Sequence, residues 1–312
     1  MHSACRVRLV FVVPITLGLG CDTVPSTPSV VIEPVIATTE DVLEVVLVTE
    51  SVDADGDEVT YQISWFQSES ERTDLGDWTV PADATSKGER WEVRVVASDG
   101  SLESGAAQAW VEIQNTAPRF ASLSLIPESP LTSDDLVLDY SVEDPDGDPV
   151  ELAFVWTVDG EETWHTDASI PAHATTRGEV WSAEISISDG TDQAVSEPVE
   201  ASIGNTPPPP PLGVSVLPTE PTTDDSLLCN VETDSVDIDG ETIGYSIDWL
   251  VDDQVFADAV SATFPGDTVP ASNTLEGQIW SCAATPTDGS DEGDAGASEP
   301  VEVTGSEANA SE

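Results

Sequence analysis

The chain has 312 residues, with 8 Lys and Arg against 61 Asp and Glu, for a formal net charge of -53. Nucleic-acid binding needs clustered cations to displace counterions from phosphate, so DNA and RNA are poor partners, and the same scarcity argues against basic-residue docking on an anionic membrane. Hydrophobic residues make up 39%, including 9 Trp, too apolar for a disordered acidic tail, and at about 100 to 150 residues per domain two or three folded domains are expected.

At the start, Arg6 and Arg8 precede a mostly apolar run over residues 9–19. This matches a signal peptide and is too short to span a bilayer, so residues 1–20 are expected to be removed. The run ends Leu17-Gly18-Leu19-Gly20-Cys21, which resembles the lipobox of bacterial lipoproteins, where a small residue precedes a Cys that is acylated and becomes the mature N-terminus. Gly20 and Cys21 fit. Gly18 stands where that motif usually has Leu, which leaves cleavage by an ordinary signal peptidase open. Losing Cys5 leaves Cys21, Cys229 and Cys282, an odd number; acylation of Cys21 accounts for the leftover thiol, and a free, inert Cys21 is the other reading. Residues 21–29, with Pro25 and Pro28, read as a lipidated tether between membrane and first domain.

The remainder is three copies of one unit, expected at residues 30–114, 115–204 and 205–304, before a disordered tail at 305–312. Asp53-Ala-Asp55-Gly-Asp57 recurs as Asp144-Pro-Asp146-Gly-Asp148 and as Asp237-Ile-Asp239-Gly-Glu241. Trp65, Trp156 and Trp249 follow at one common offset, then Pro81, Pro171 and Pro270, each opening a Pro-Ala-x-x-Thr motif. Trp91, Trp181 and Trp280 each open a run that closes on Asp99-Gly100, Asp189-Gly190 or Asp288-Gly289. The joints Asn115-Thr-Ala-Pro118 and Asn205-Thr-Pro-Pro208 match as well, and the five prolines over 207–211 predict a stiff polyproline II spacer before the third unit.

Inside the units the apolar period is two. Trp91, Val93, Val95 and Ala97 alternate with Glu92, Arg94 and Val96, the pattern of a half-buried strand. Several short strands per unit of roughly 90 residues, with turn signals between them, predict an all-β chain of three tandem immunoglobulin-like antiparallel β-sandwiches. Cys229, Trp249 and Cys282 have the immunoglobulin spacing, which implies an inter-sheet disulfide packed on a buried Trp.

The run Gly88-Glu-Arg-Trp-Glu-Val-Arg-Val-Val-Ala-Ser-Asp-Gly100 resembles the penultimate strand of PKD and cadherin domains. Residues 53–61 are similar to their acidic loop, and residues 114–120 to the cadherin interdomain linker. Above all, residues 30–304 resemble the tandem Ig-like repeats of secreted and surface proteins of Gram-negative bacteria. That resemblance implies fold and surface location, and little about activity.

In such a sandwich the loops after the second and sixth strands share one end, so Asp53, Asp55 and Asp57 should approach Asp99. The same holds for Asp144, Asp146 and Asp148 with Asp189, and for Asp237, Asp239 and Glu241 with Asp288. Hard oxygen ligands at alternate positions around a Gly suit calcium, with Asn115 and Asn205 offering carbonyl oxygens as the cadherin linker does. The other reading is that the Asp-Gly pairs make tight turns and the carboxylates are solvated. The cadherin Leu-Asp-Arg-Glu motif is absent, as is the terminal bidentate Glu of an EF-hand.

Enzyme motifs are missing: there is no Gly-x-Ser-x-Gly, His-Glu-x-x-His, Walker loop or Cys-x-x-Cys. His165 and His173 occur in the second unit alone and read as surface variation. Trp78, Trp110 and Trp164 have no counterpart in the other units and either cover sandwich edges or stack on sugar rings. The expectation is therefore a non-catalytic exported lipoprotein, held to the cell envelope by its lipid, acting as a spacer or adhesion module for an unidentified surface protein or glycan. A carbohydrate-binding lipoprotein is the alternative. No cofactor beyond calcium is implied.

Overall fold

The computed structural model describes residues 22–306; the signal segment and Cys21 lie outside the described residues. The first repeat supplies β1 (Ser29–Glu33), β2 (Ala37–Thr38), β3 (Leu43–Thr49), β4 (Thr60–Gln67), β5 (Ser70–Glu71), β6 (Thr79–Val80), β7 (Arg90–Ser98) and β8 (Ala107–Gln114). The second supplies β9 (Arg119–Ile126), β10 (Leu136–Glu143), β11 (Glu151–Val158), β12 (Glu161–Glu162), β13 (Ser169–Ile170), β14 (Val180–Ser188), β15 (Gln193–Val195) and β16 (Val199–Ser202). The third supplies β17 (Leu212–Leu217), β18 (Leu227–Thr233), β19 (Gly244–Val251), β20 (Gln254–Phe256), β21 (Thr268–Val269), β22 (Ile279–Thr287), β23 (Gly296–Ala297) and β24 (Val301–Glu302). The first repeat forms two sheets, ordered β1-β3-β6 and β2-β8-β7-β4-β5. The second forms β9-β10-β13 and β12-β11-β14-β15 with β16 also on β14, and the third β17-β18-β21 and β20-β19-β22-β23 with β24 also on β22, the place of β2 being taken there by the single bridges Leu131–Gly204 and Thr222–Thr304. By contacts the described residues divide into two compact units: 22–122, 141–153 and 185–196 form one, and 123–140, 154–184 and 197–306 the other. The first repeat and the acidic loops of the second therefore share a unit, and the acidic loops of the third repeat lie in the other.

The period-two pattern buries what the sequence marks. Along β7, Trp91, Val93, Val95 and Ala97 are fully buried, as are Trp280 and Ala284 on β22. In each repeat two tryptophans meet edge to face: Trp65 with Trp91 at 6.4 Å, Trp156 with Trp181 at 6.2 Å and Trp249 with Trp280 at 6.0 Å between centroids. Such pairs add about 0.5–1.5 kcal/mol beyond their burial, provided each indole N–H has an acceptor. Each does. Trp65, Trp156 and Trp249 donate to the carbonyls of Asp77, Asp167 and Gly266. Trp91, Trp181 and Trp280 donate to the side chains of Glu89, Glu179 and Gln278. The Pro-Ala-x-x-Thr motifs are 3-10 turns over Ala82–Ala84, Ala172–Ala174 and Ala271–Asn273. Their closing Thr85, Thr175 and Thr274 hydroxyls bond back to the first carbonyl of the turn.

Cys229 on β18 and Cys282 on β22 form the disulfide. Cross-strand pairing sets Trp249 opposite Cys282, as it sets Trp65 opposite Val93.

Two connections differ from the sequence expectation. The 207–211 proline run, expected as a stiff spacer standing between units, is packed instead: Pro208 and Pro211 are buried. A Cβ at Gly293 would run into the Pro208 carbonyl, and one at Gly296 would come within 2.9 Å of the Pro211 ring. Polyproline stiffness is a local property, and here packing on glycines ties the run to the third repeat. Likewise, residues 22–29 are docked on the first repeat rather than hanging as a tether. Pro25 and Pro28 are buried, Ser26 N–H donates to the Val52 carbonyl at 3.0 Å, and Val52 N–H donates to Ser26 Oγ at 2.8 Å.

Candidate cation sites in the acidic loops

The acidic loops follow β3, β10 and β18 and are built alike. Gly56, Gly147 and Gly240 take φ of +83°, +78° and +85°, which L side chains resist, so the glycines do serve the turn. The first acid of each loop braces it with one oxygen. Asp53 Oδ1 accepts the N–H groups of Asp55 and Asp57, Asp144 Oδ1 those of Asp146 and Asp148, and Asp237 Oδ1 that of Asp239. Turn-building accounts for Oδ1 and leaves Oδ2 unexplained. Asp53 is 7% exposed and Asp237 6%, yet their Oδ2 atoms, and that of Asp144, are buried with no hydrogen-bond partner.

The second loop of each site is the Asp-Gly turn after the long central strand. Asp99, Asp189 and Asp288 each accept two backbone N–H bonds through Oδ1, at 2.6 and 2.7 Å. In the second and third repeats the joint residues touch both loops. Asn115 Nδ2 donates to Asp189 Oδ2 and Asp192 Oδ2 while Thr116 N–H donates to Asp146 Oδ2. Asn205 Nδ2 donates to Asp288 and Asp291, and Thr206 N–H to Asp239 Oδ2. The predicted convergence is thus realised through the Asn-Thr dipeptide. Carboxylate oxygens of Asp144, Asp146 and Asp148 lie within 4.8 Å of one another, as do those of Asp237, Asp239 and Glu241. The first-repeat trio is not among the groups that close to this distance, and its Asp55 and Asp57 are exposed.

Orphaned oxygens are most numerous at the third repeat. Asp237 Oδ2, Asp239 Oδ1, Glu241 Oε2 and Asn205 Oδ1 are all buried without a donor. The residues present fit a hard cation: oxygen alone, negative, with free lone pairs left inside the cluster. The fixed charges around the sites are few. Lys87 pairs with Asp148 at 2.6 Å, and Arg177 pairs with Glu241. The Asn115 amide, followed by the Asp192 backbone N–H, holds the Asp189 carboxyl down at about 2. Asp288 is lowered for the same reason, chiefly by Asn205.

Sequence reasoning missed Asp192, Asp291, Thr116, Thr206, Lys87 and Arg177. A usable signal existed, since Asp192 and Asp291 stand three residues beyond Asp189 and Asp288, and Lys87 and Arg177 both precede the glycine at a matched position.

The unmatched tryptophans differ among themselves. Trp78 packs edge-on against Tyr61 at 5.9 Å, and Arg90 covers Trp110 at 4.5 Å. Trp164 is 83% exposed and stacks on His165 at 4.0 Å. His173 is exposed on its 3-10 turn.

No family model and no curated protein matches the chain. Solved structures align over 90% of it. The FN1-FN3 domains of chicken CNTN1 do so at 10% identity and TM-score 0.30, covering 99% of that chain. Domains A168-A170 of titin do so at 13% and 0.41, covering 100%. The three N-terminal domains of the Highly Immunogenic Outer Capsid protein of bacteriophage RB49 do so at 14% and 0.26, covering 99%. Scores this low carry no argument, and the fold rests on the chain's own topology. Its third repeat joins the middle strand of a three-stranded sheet to the central strand of the facing sheet by a disulfide beside a buried Trp. The repeats are immunoglobulin-like.

Proposed function

We propose that the protein is a non-catalytic exported lipoprotein whose Ig-like repeats act as a cell-surface spacer or adhesion module, with calcium bound at the acidic end of each repeat to fix it to the joint before it. The observation that carries the calcium reading is the set of four buried oxygens of Asp237, Asp239, Glu241 and Asn205 that no donor reaches. A buried acceptor without a partner costs about 1–3 kcal/mol, more if charged, and carboxylates this close repel; a divalent cation relieves both. Calorimetric melting with millimolar calcium against chelator tests it. Modules of this kind bind with dissociation constants of about 0.1–1 mM, so about 10 mM calcium, an excess of about 10- to 100-fold, stabilises by roughly 1.4–2.7 kcal/mol, several degrees in midpoint. If no transition moves by more than about a degree, calcium is dropped.

The lipoprotein part rests on Gly20-Cys21. Mass spectrometry of the mature N-terminal peptide, with and without Cys21→Ala, tests it. Carbohydrate binding is the second reading, favoured by the open face of Trp164. Saturable quenching of its fluorescence by a polysaccharide, lost in Trp164→Ala, would decide for it.

A further inference from the structure

The segment after Cys21 reads Asp22-Thr23-Val24-Pro25, and the joints read Asn115-Thr116-Ala117-Pro118 and Asn205-Thr206-Pro207-Pro208. The likeness extends to bonding. Thr23 N–H donates to Asp55 Oδ2 at 2.8 Å, as Thr116 N–H does to Asp146 Oδ2 at 2.7 Å and Thr206 N–H to Asp239 Oδ2 at 2.9 Å. Pro25, Pro118 and Pro208 are all buried. Residues 22–25 therefore form a joint of the same kind, placed before the first repeat instead of between two.

One position differs, and its consequence is visible. Asn115 and Asn205 give an amide proton to Oδ2 of Asp189 and Asp288. Asp22 has no proton to give, and Oδ2 of Asp99, the matching acid, is buried with no partner. Beside it, Asp53 is 7% exposed with its own Oδ2 unpartnered. Nor is there a counterpart of Lys87 or Arg177: among the described residues Asp57 makes no ion pair. The sequence has a carboxylate at the position where the other joints have an amide, and the neighbouring cation is lost.

We propose that Asp22, Asp53, Asp55 and Asp99 form a divalent-cation site that clamps the N-terminal segment onto the first repeat. It rests on the calcium reading above and adds to it a ligand, Asp22, and a task. At the two later joints an amide holds linker to loop whether or not metal is bound. At this one the metal takes the amide's place beside the Thr23 and Ser26 hydrogen bonds, so calcium tightens the docking of residues 22–29.

Hydrogen exchange on the full chain, in millimolar calcium and in chelator, tests this directly. Peptides covering 22–29 are expected to exchange about tenfold more slowly with calcium. In Asp22→Asn the restored amide should protect the segment in chelator too, and calcium should add little. Protection by calcium of loops 144–148 and 237–241 but not of 22–29 would overturn the clamp and leave the calcium reading standing. No response in any loop overturns both. An Asp22→Asn chain that keeps the wild-type calcium dependence at 22–29 also overturns the clamp.

Discussion

Replacing the third repeat's disulfide by the fillers its siblings use isolates what the bridge contributes. Pairing of Leu43 with Val80, Leu136 with Ile170 and Leu227 with Val269 fixes the correspondence, so Val45 and Leu138 hold the place of Cys229. Val93 and Ala183 hold that of Cys282. Two variants follow: Cys229→Val with Cys282→Val, and Cys229→Leu with Cys282→Ala. Both keep the site apolar and filled, since the two sulfurs sit among residues 0–9% exposed. What is lost is the constraint on the unfolded chain. Closing a loop of 53 residues removes about 14 cal/mol/K, worth about 4 kcal/mol at 25 °C. For a domain of about 100 residues, whose unfolding entropy is about 0.2 kcal/mol/K, that is a fall of about 20 °C in the midpoint. Scanning calorimetry of the whole chain should show one transition fall by that amount while the rest hold. If both variants lose less than about 5 °C, the third repeat is held by packing as its siblings are, and the entropy argument fails.

Asp267 is 1% exposed and accepts N–H bonds from Ala262 at 2.5 Å, Thr263 at 2.6 Å and Phe264 at 2.9 Å, plus the Thr268 hydroxyl at 3.0 Å. Burial pushes its pKa up, but these donors together outweigh it and hold it below the usual value. Its contribution is complete above the unfolded pKa of about 3.9 and disappears as pH falls through the lower folded value; acid melts of Asp267→Asn should lack this loss, while at neutral pH the variant is less stable by about 2 kcal/mol. Tyr245→Phe strips the acceptor at 2.7 Å from the buried Ser235 N–H and should cost about 1–2 kcal/mol in denaturant titration. Trp181→Ala, at 3% exposure, should cost about 3–5 kcal/mol, and Trp164→Ala, at 83%, under about 0.5 kcal/mol in the same assay. Gly293→Val should displace the proline run and lower stability by about 1–3 kcal/mol.

The repeat period made most of the fold legible. Six tryptophans and three Pro-Ala-x-x-Thr turns recur at fixed offsets because each fills the same packing slot, and the third repeat's two cysteines stand at slots that its siblings fill with aliphatic side chains. The acids were legible as loops, but composition hid their roles. With 61 acids in the chain, nothing local distinguishes Asp267, whose partners come from an insertion peculiar to the third repeat. Nor does anything local show that Asp53 keeps one oxygen for the turn and leaves the other bare. The proline run misled because backbone propensity says how the segment is shaped, while Gly293 and Gly296, about 85 residues on, decide where it lies. The first joint was missed for a narrower reason: Asp22 in place of Asn breaks the match at the one position where the difference has chemical weight.

Eight freely extended residues would reach about 26 Å. Bound along the sandwich from Thr23 through Ser29, the leading segment offers none of that reach. The lipid proposed at Cys21 would thus be attached by a stub rather than a lanyard, which would keep the acidic end of the first sandwich close to it. A pull on that point loads the sandwich itself before any slack is taken up.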